Sequence, residues 1–203
     1  MIVGTLLGDG RLEERSKGIR AYTARLRIHH DEVQKEYVLW KYHVLKEYVT
    51  RGPREIVWIN PRRQLREVSW YFHTRSTTEF RTLYDCFYRS AKKVVPHEIE
   101  RLLTARAIAV WAMDDGTYSK PGFIFNTHTF EVDDQNRLRD ALEKKFGIAS
   151  LLHRDRSYWK IAIDGRSAVK LFTVINTFII PTMRYKIGVP VSTDPERVRV
   201  IST

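Results

Sequence analysis

Two runs of apolar and small residues, a domain's length apart, each close on an acid and a glycine. Residues 1–12 read M-I-V-G-T-L-L-G-D-G-R-L, and residues 107–118 read A-I-A-V-W-A-M-D-D-G-T-Y. Each predicts a short apolar helix, the second starting near Leu102. The chain between them alternates between periods of two and of about 3.6, the signatures of half-buried strands and amphipathic helices. After a charged strand end over 11–17, residues 20–30 place Tyr22, Ala24, Leu26 and Ile28 on one face. Thr23, Arg25, Arg27 and His29 fall on the other. Residues 31–48 predict a helix with Asp31 at its start and a stripe of Val33, Tyr37, Trp40, Val44 and Tyr48, ended by Gly52-Pro53. Strands follow over 55–60 and 65–75, joined by the basic turn Pro61-Arg62-Arg63-Gln64. The second sets Val68, Trp70 and Phe72 against Ser69, Tyr71, His73 and Arg75. Ser76-Thr77-Thr78 caps a helix with Phe80, Leu83, Tyr84 and Phe87 on its apolar side.

The second half repeats this order. Residues 122–130 predict a strand with Phe123 and Phe125 inward and Ile124, Asn126 and His128 outward. A helix over 131–146 buries Leu138, Leu142 and Phe146 and stops before Gly147. A hairpin over 149–164 turns at Asp155-Arg156, with Trp159, Ile161 and Ile163 inward and Tyr158 and Lys160 outward, and a last helix spans 167–179. Each half therefore reads helix, strands, helix, hairpin, helix, an internal repeat at domain scale with little residue identity. The halves are placed at 1–91 and 104–203, with the short, charged stretch 92–103 as linker.

A carboxylate at a helix C-terminus faces the negative end of the helix dipole, an unfavourable place unless a cation binds there. Gly4, Gly8, Ala109 and Ala112 would let another backbone come close, and Gly10 and Gly116 are expected to end the helices at positive φ. Two such helices packed together bring Asp9 and Asp115 side by side. Charge adds to this picture. With 35 Lys and Arg against 24 Asp and Glu, the net charge is +11, which favours a polyanion, nucleic acid first, over the alternative of a merely solvated basic surface. The single cysteine, Cys86, excludes an internal disulfide and a cysteine-based zinc site. The histidines do not make a zinc site either; the adjacent His29 and His30 point to opposite strand faces. No run is long and apolar enough to span a bilayer. Met1 leads straight into the first helix, so no leader segment is expected. Heavy use of arginine suggests the cytoplasm of a prokaryote over an organelle matrix.

The paired runs resemble the motifs of the LAGLIDADG homing endonucleases in their single-chain, two-repeat form. Ile2-Val3-Gly4-Thr5-Leu6-Leu7-Gly8-Asp9-Gly10 covers the nine motif positions, and Ile108-Ala109-Val110-Trp111-Ala112-Met113-Asp114-Asp115-Gly116 covers them again. The motif's first acid is replaced by Leu7 and by Met113; its last, the one used in catalysis, is kept in both copies. The resemblance implies an α+β fold of two pseudo-symmetric αββαββα repeats, motif helices packed at the centre and two antiparallel sheets forming a saddle over double-stranded DNA. It implies a monomer that makes a metal-dependent, staggered double-strand break in a long, mostly asymmetric site, encoded within an intron or as a free-standing mobile gene.

By the same resemblance, Asp9 and Asp115 bind Mg2+, which Mn2+ can replace, together with the backbone oxygens at Gly8 and Asp114. The Asp114 side chain is left open between facing solvent and supporting a ligand. One lysine per half is expected near the attacking water: Lys186 in the second, Lys92 in the first, with its neighbour Lys93 as the substitute. Contacts to DNA are expected from the outward strand faces, where arginine suits guanine and asparagine suits adenine: Arg25, Arg27, His29, His73, Arg75, Asn126, His128, Arg156, Tyr158 and Lys160. Arg62, Arg63 and Arg66 in the first hairpin would reach phosphates or an outlying base. Trp40, Trp70, Trp111 and Trp159 fit core faces. Two other readings stay open: an RNA maturase on the same fold, binding intron RNA with or without retained cleavage, and a DNA-binding regulator without catalysis.

Overall fold

The computed structural model describes residues 1–15, 22–62 and 64–189. The first repeat runs α1 (Ile2–Leu7), β1 (Arg11–Arg15), β2 (Thr23–Asp31), α2 (Lys35–Val44), β3 (Arg54–Asn60), β4 (Leu65–His73) and α3 (Thr78–Phe87). A two-residue ladder, β5 (Tyr88–Arg89) with β6 (Lys92–Lys93), and the single turn α4 (Ile99–Leu102) lead into the second. That repeat runs α5 (Ala105–Asp115), β7 (Gly116–Ser119), β8 (Gly122–Phe125), α6 (Val132–Phe146), β9 (Leu151–Asp155), β10 (Tyr158–Ile163) and α7 (Gly165–Ile175), and ends in a 3-10 segment, Pro181–Ile187. Both sheets are antiparallel with the same topology, β1-β2-β4-β3 and β7-β8-β10-β9. The expected αββαββα duplication is therefore present in order and in connectivity.

Helix starts follow from local chemistry. The Thr77 hydroxyl accepts from the Phe80 amide, Thr104 from Ala107 and the Asp164 carboxylate from Ser167, each meeting an amide that the first turn leaves without a partner. α6 stops at Gly147, in the left-handed region at φ 63. The helices cover one face of each sheet, so strand residues alternate between core and open face. Ala24, Leu26 and Ile28 of β2 and Phe123 and Phe125 of β8 are fully buried.

The centre is the crossing of α1 and α5. A Cβ at Gly4 would lie 2.1 Å from the Ala107 carbonyl oxygen, and one at Gly8 would lie 2.3 Å from the Asp114 Cβ. Only glycine lets the backbones meet this closely. Residues Ala107 to Asp114 are buried without interruption, as befits a helix surrounded by protein. Gly10 and Gly116 correct an expectation. Neither takes a positive φ. They are small because a Cβ at Gly10 would strike Thr5 Cγ2 at 2.2 Å, and one at Gly116 would strike the Ala112 oxygen and the Phe123 ring at 2.3 Å.

Two other expectations fail for identifiable reasons. Tyr22 does not face the core; it precedes the strand at φ 59 and is 74% exposed. The stripe proposed for α2 holds at Tyr37 and partly at Trp40, but Val33, Val44 and Tyr48 are exposed while Val38 and Lys41 are buried. A buried lysine counts as polar in any periodicity, so the true inward face could not be read.

Candidate active site and nucleic-acid interface

Each motif helix delivers one acid to the same place. Asp115 is the last residue of α5, and Asp9 follows α1 by two positions. Burial first, and then the charges of Asp9 and Asp114, push the Asp115 carboxyl up to about 7. Crowded carboxylates of this kind are the electrostatic signature of a site made for a cation.

Each half also delivers one ammonium, and here the first-half expectation is corrected. Lys92 is exposed and ion-paired with Glu131, away from the acids. Lys93 turns inward instead, and its Nζ donates to the carbonyl oxygens of Gly8 at 2.8 Å and Gly10 at 2.9 Å. Lys186 does the same in the second half, donating to the Asp114 oxygen at 3.2 Å and the Gly116 oxygen at 3.1 Å. The two lysines thus hold equivalent carbonyls, one residue before and one after each acid. Burial lowers the Lys93 pKa, with the carboxylates of Asp115, Asp114 and Asp9 pulling the other way.

The donor set fits a divalent metal. Two carboxylates and the Gly8 and Asp114 carbonyls are hard oxygen ligands of the type Mg2+ and Mn2+ take. A second cluster, Asp9, His30 and Asp114, brings ligand atoms within 4.8 Å of one another. It already holds a cation of its own: the buried Lys41 ammonium is 2.7 Å from Asp114 Oδ1. The Asp114 side chain, fully buried, therefore does not face solvent. Sequence reasoning missed both His30 and Lys41. The alternation of β2 did place His30 on the core face, which is a weak pointer.

The open face of the first sheet carries Arg25, Arg27 and His29 of β2 beside His73 of β4, since Arg27 pairs with His73 and His29 with Tyr71. Register adds residues not singled out from sequence: Arg11 and Arg15 of β1, opposite Arg27 and Thr23, and Arg54 of β3, opposite Tyr71. Glu13 sits among these arginines, 2.7 Å from Arg25, 3.1 Å from Arg11 and 3.6 Å from Arg27, and holds them in place. Two candidates are not on this face. Arg66 pairs with Ile59 on the reverse side and bonds Glu55 at 3.3 Å. Arg75 folds under the sheet to the Glu47 carbonyl at 2.7 Å. Arg62 is exposed at the hairpin tip, and Arg63 lies outside the described residues.

The open face of the second sheet is less charged. Tyr158 and Lys160 of β10 lie on it, with His153 opposite Lys160. Asp155 receives Lys160 at 2.5 Å and lies 3.7 Å from His128, so this sheet also carries its own counter-charge. Arg156 is exposed in the turn at φ 56. Asn126 is differently placed from the base-reading role expected of it: its amide nitrogen donates to the Asp115 carbonyl at 2.9 Å and to Thr117 Oγ1 at 3.1 Å. Trp111 is fully buried and stacks on Phe125, and Trp40, Trp70 and Trp159 are partly buried.

Comparison with known proteins agrees with this geometry. The model of the LAGLIDADG DNA endonuclease family matches residues 1–171. The DNA endonuclease I-ChuI of Chlamydomonas applanata is 28% identical, over 93% of both chains. The cytochrome b mRNA maturase bI2 of Debaryomyces hansenii is 27% identical, over 93% of this chain and 72% of that protein. Among solved structures, the homing endonuclease I-WcaI bound to its DNA recognition sequence superposes with a TM-score of 0.83 at 23% identity, covering 92% of this chain and 83% of that one.

Proposed function

The chain belongs to the LAGLIDADG DNA endonuclease family, and we propose that it is a site-specific homing endonuclease, intron-encoded, making a staggered, metal-dependent double-strand break. The observation that carries this reading is the paired arrangement of Asp9 with Lys93 and Asp115 with Lys186 at the crossing of α1 and α5. The two sheets would lay their open faces along successive major grooves, with Arg25, Arg27, His29 and His73 on one half-site and His153, Tyr158 and Lys160 on the other. Arginines already set in place by Glu13 lose less freedom on binding. Phosphates flanking the centre would meet the excess of basic charge, so affinity should fall steeply with salt.

At the centre, Asp9 and Asp115, with the Gly8 and Asp114 carbonyls, would hold divalent cations, Mg2+ with Mn2+ as substitute. Bound there, the metal supplies a water of lowered pKa and offsets charge on the attacking and leaving oxygens. The protein's own part is to fix the ligands and the protons. Lys93 and Lys186 set the carbonyls on either side of each acid, and their ammonium groups would offset the charge that develops on a phosphate held there. Each half supplies one acid and one lysine, hence one strand cut per half.

The test is incubation with Mg2+ and a plasmid library of randomised sites, followed by sequencing of cut ends. Cutting at one long motif, abolished by chelation and in Asp9→Asn and Asp115→Asn, is the expected result. Cleavage that survives chelation, or both substitutions, would overturn it. The maturase relative favours a second activity on the same fold, binding of the intron RNA. Tight binding to structured intron RNA that persists in Asp9→Asn would add it.

A further inference from the structure

The two motif copies differ at the position just before each acid. It is Gly8 in the first and Asp114 in the second. The Asp114 side chain crosses the helix interface into the space that Gly8 leaves, where a Cβ would lie 2.7 Å from Asp114 Oδ2. Two groups meet it there. Its Oδ2 accepts from the Asp9 amide at 3.3 Å, and its Oδ1 accepts from Lys41 Nζ at 2.7 Å. Lys41 and Asp114 side chains are both 0% exposed, and Lys41 also lies 4.3 Å above the Tyr37 ring. Lys41 Nζ is 3.2 Å from His30 Nε2. The ammonium has no lone pair to offer, so Nε2 must accept, and the ring proton is on Nδ1. That Nδ1 lies 3.5 Å from Asp9 Oδ2.

Lys41 therefore reaches Asp9 by two routes. One passes through Asp114 to the Asp9 backbone amide, the other through the His30 ring to the Asp9 carboxylate. Around Asp115, the described residues show no such lysine–histidine network; Asn126 donates to its carbonyl, and Lys186 to the carbonyls on either side. A buried ion pair is seldom a gain in stability over apolar packing. It does fix geometry, and groups that orient a metal-binding ligand commonly affect activity as much as the metal affinity itself.

We propose that Lys41, His30 and the Asp114 carboxylate are positioning residues for Asp9, and that they act on only one half of the active centre. The inference rests on the endonuclease reading above. Its consequence is an inequality between strands: loss of the network slows the cut that depends on Asp9 and leaves the other nearly intact.

The experiment uses the full chain on its cognate duplex, each strand end-labelled, and compares wild type with His30→Leu and the double variant Lys41→Met/Asp114→Asn. The double variant removes both buried charges together, so neither is left unpaired. Melting temperature, Mn2+ affinity of the protein–DNA complex and DNA affinity in Ca2+ are measured alongside. The expected result is a roughly 10- to 100-fold slower cut on one strand, with nicked product accumulating and Mn2+ bound more weakly. DNA affinity in both variants, and the other strand in His30→Leu, change less than about threefold, within the scatter of neutral substitutions. Equal slowing of both strands in step with a lower melting temperature would overturn the proposal, as would unchanged rates on both. If wild type cuts no duplex at all, it is the endonuclease reading that fails, not the network.

Discussion

The two halves of this molecule agree where backbone meets backbone and differ where side chains meet charge. α1 and α5 cross closely, each ends beside an acid, and each is held by a lysine that donates to the carbonyls on either side of that acid. Around this frame the halves part. The Asp9 side chain is 42% exposed and braced by His30, whereas Asp115 is crowded by burial and by neighbouring carboxylates up to about 7. The first sheet's open face is rich in arginine and the second's is not. On the proposed reading, duplication keeps in common what the cut on each strand requires. What is free to differ is what reads the two unlike half-sites and how rigidly each acid is set.

The largest effect should come from removing either acid. Asp9→Asn and Asp115→Asn are each expected to slow cleavage by about a thousandfold or more, roughly 4 kcal/mol of barrier, while DNA binding measured in Ca2+ holds. Each variant should still nick the strand served by the other half; equal slowing of both strands in either variant would contradict the assignment of one cut to each half. Next comes the lysine pair. Lys93→Met should cost on the order of a hundredfold, as should Lys186→Met, in the range of one lost proton-handling group. Lys92→Met, whose parent ammonium is on Glu131, should leave single-turnover rates within about twofold, as for most surface changes.

These expectations also show what the sequence made legible. The apolar runs closed by Asp-Gly gave the motif helices, and period-two alternation gave the buried faces of β2 and β8. The choice between Lys92 and Lys93 was not accessible, because neighbours in a strand face opposite ways and the register is set by the turn at Ser90 and Ala91, both at positive φ. Arg75 lies past the end of β4, where alternation stops and the nearest carbonyl decides. Lys41 and His30 were hidden because a buried, paired charge looks like a surface residue until its partner, 73 positions away for Lys41, is known.

Packing at the helix crossing can be broken directly. Gly8→Ala drives a methyl into Asp114 at 2.3 Å and should destabilise the fold by about 1–3 kcal/mol, seen as a lower melting temperature. The same substitution in an Asp114→Gly/Lys41→Met background should recover part of that loss relative to its parent, since the atoms that the methyl strikes are gone and no buried charge is left unpaired. No recovery would mean that the clash lies with the backbone of α5.

The smallest effect concerns Asp115 in metal-free protein. The folded Asp115 pKa, about 7, lies above its ordinary value of 3.8. The folded state thus holds a proton that the unfolded state releases, and stability from this group falls as pH rises from about 4 to about 7. Asp115→Asn in chelator should therefore raise the melting temperature at pH 8 by about 2–4 °C, on the order of 1 kcal/mol, and the gain should shrink toward pH 4. A pH-independent gain would place its origin in packing and not in charge.

The central claim is that the cation site lies between the ends of the two motif helices. It is tested most directly by anomalous diffraction from crystals of the protein with its cognate DNA and Mn2+. Peaks within bonding distance of Asp9 and Asp115 carboxylates, with Lys41 still paired to Asp114, are the predicted result. A peak seated among Asp9, His30 and the Asp114 carboxylate with Lys41 displaced, and none at Asp115, would contradict it.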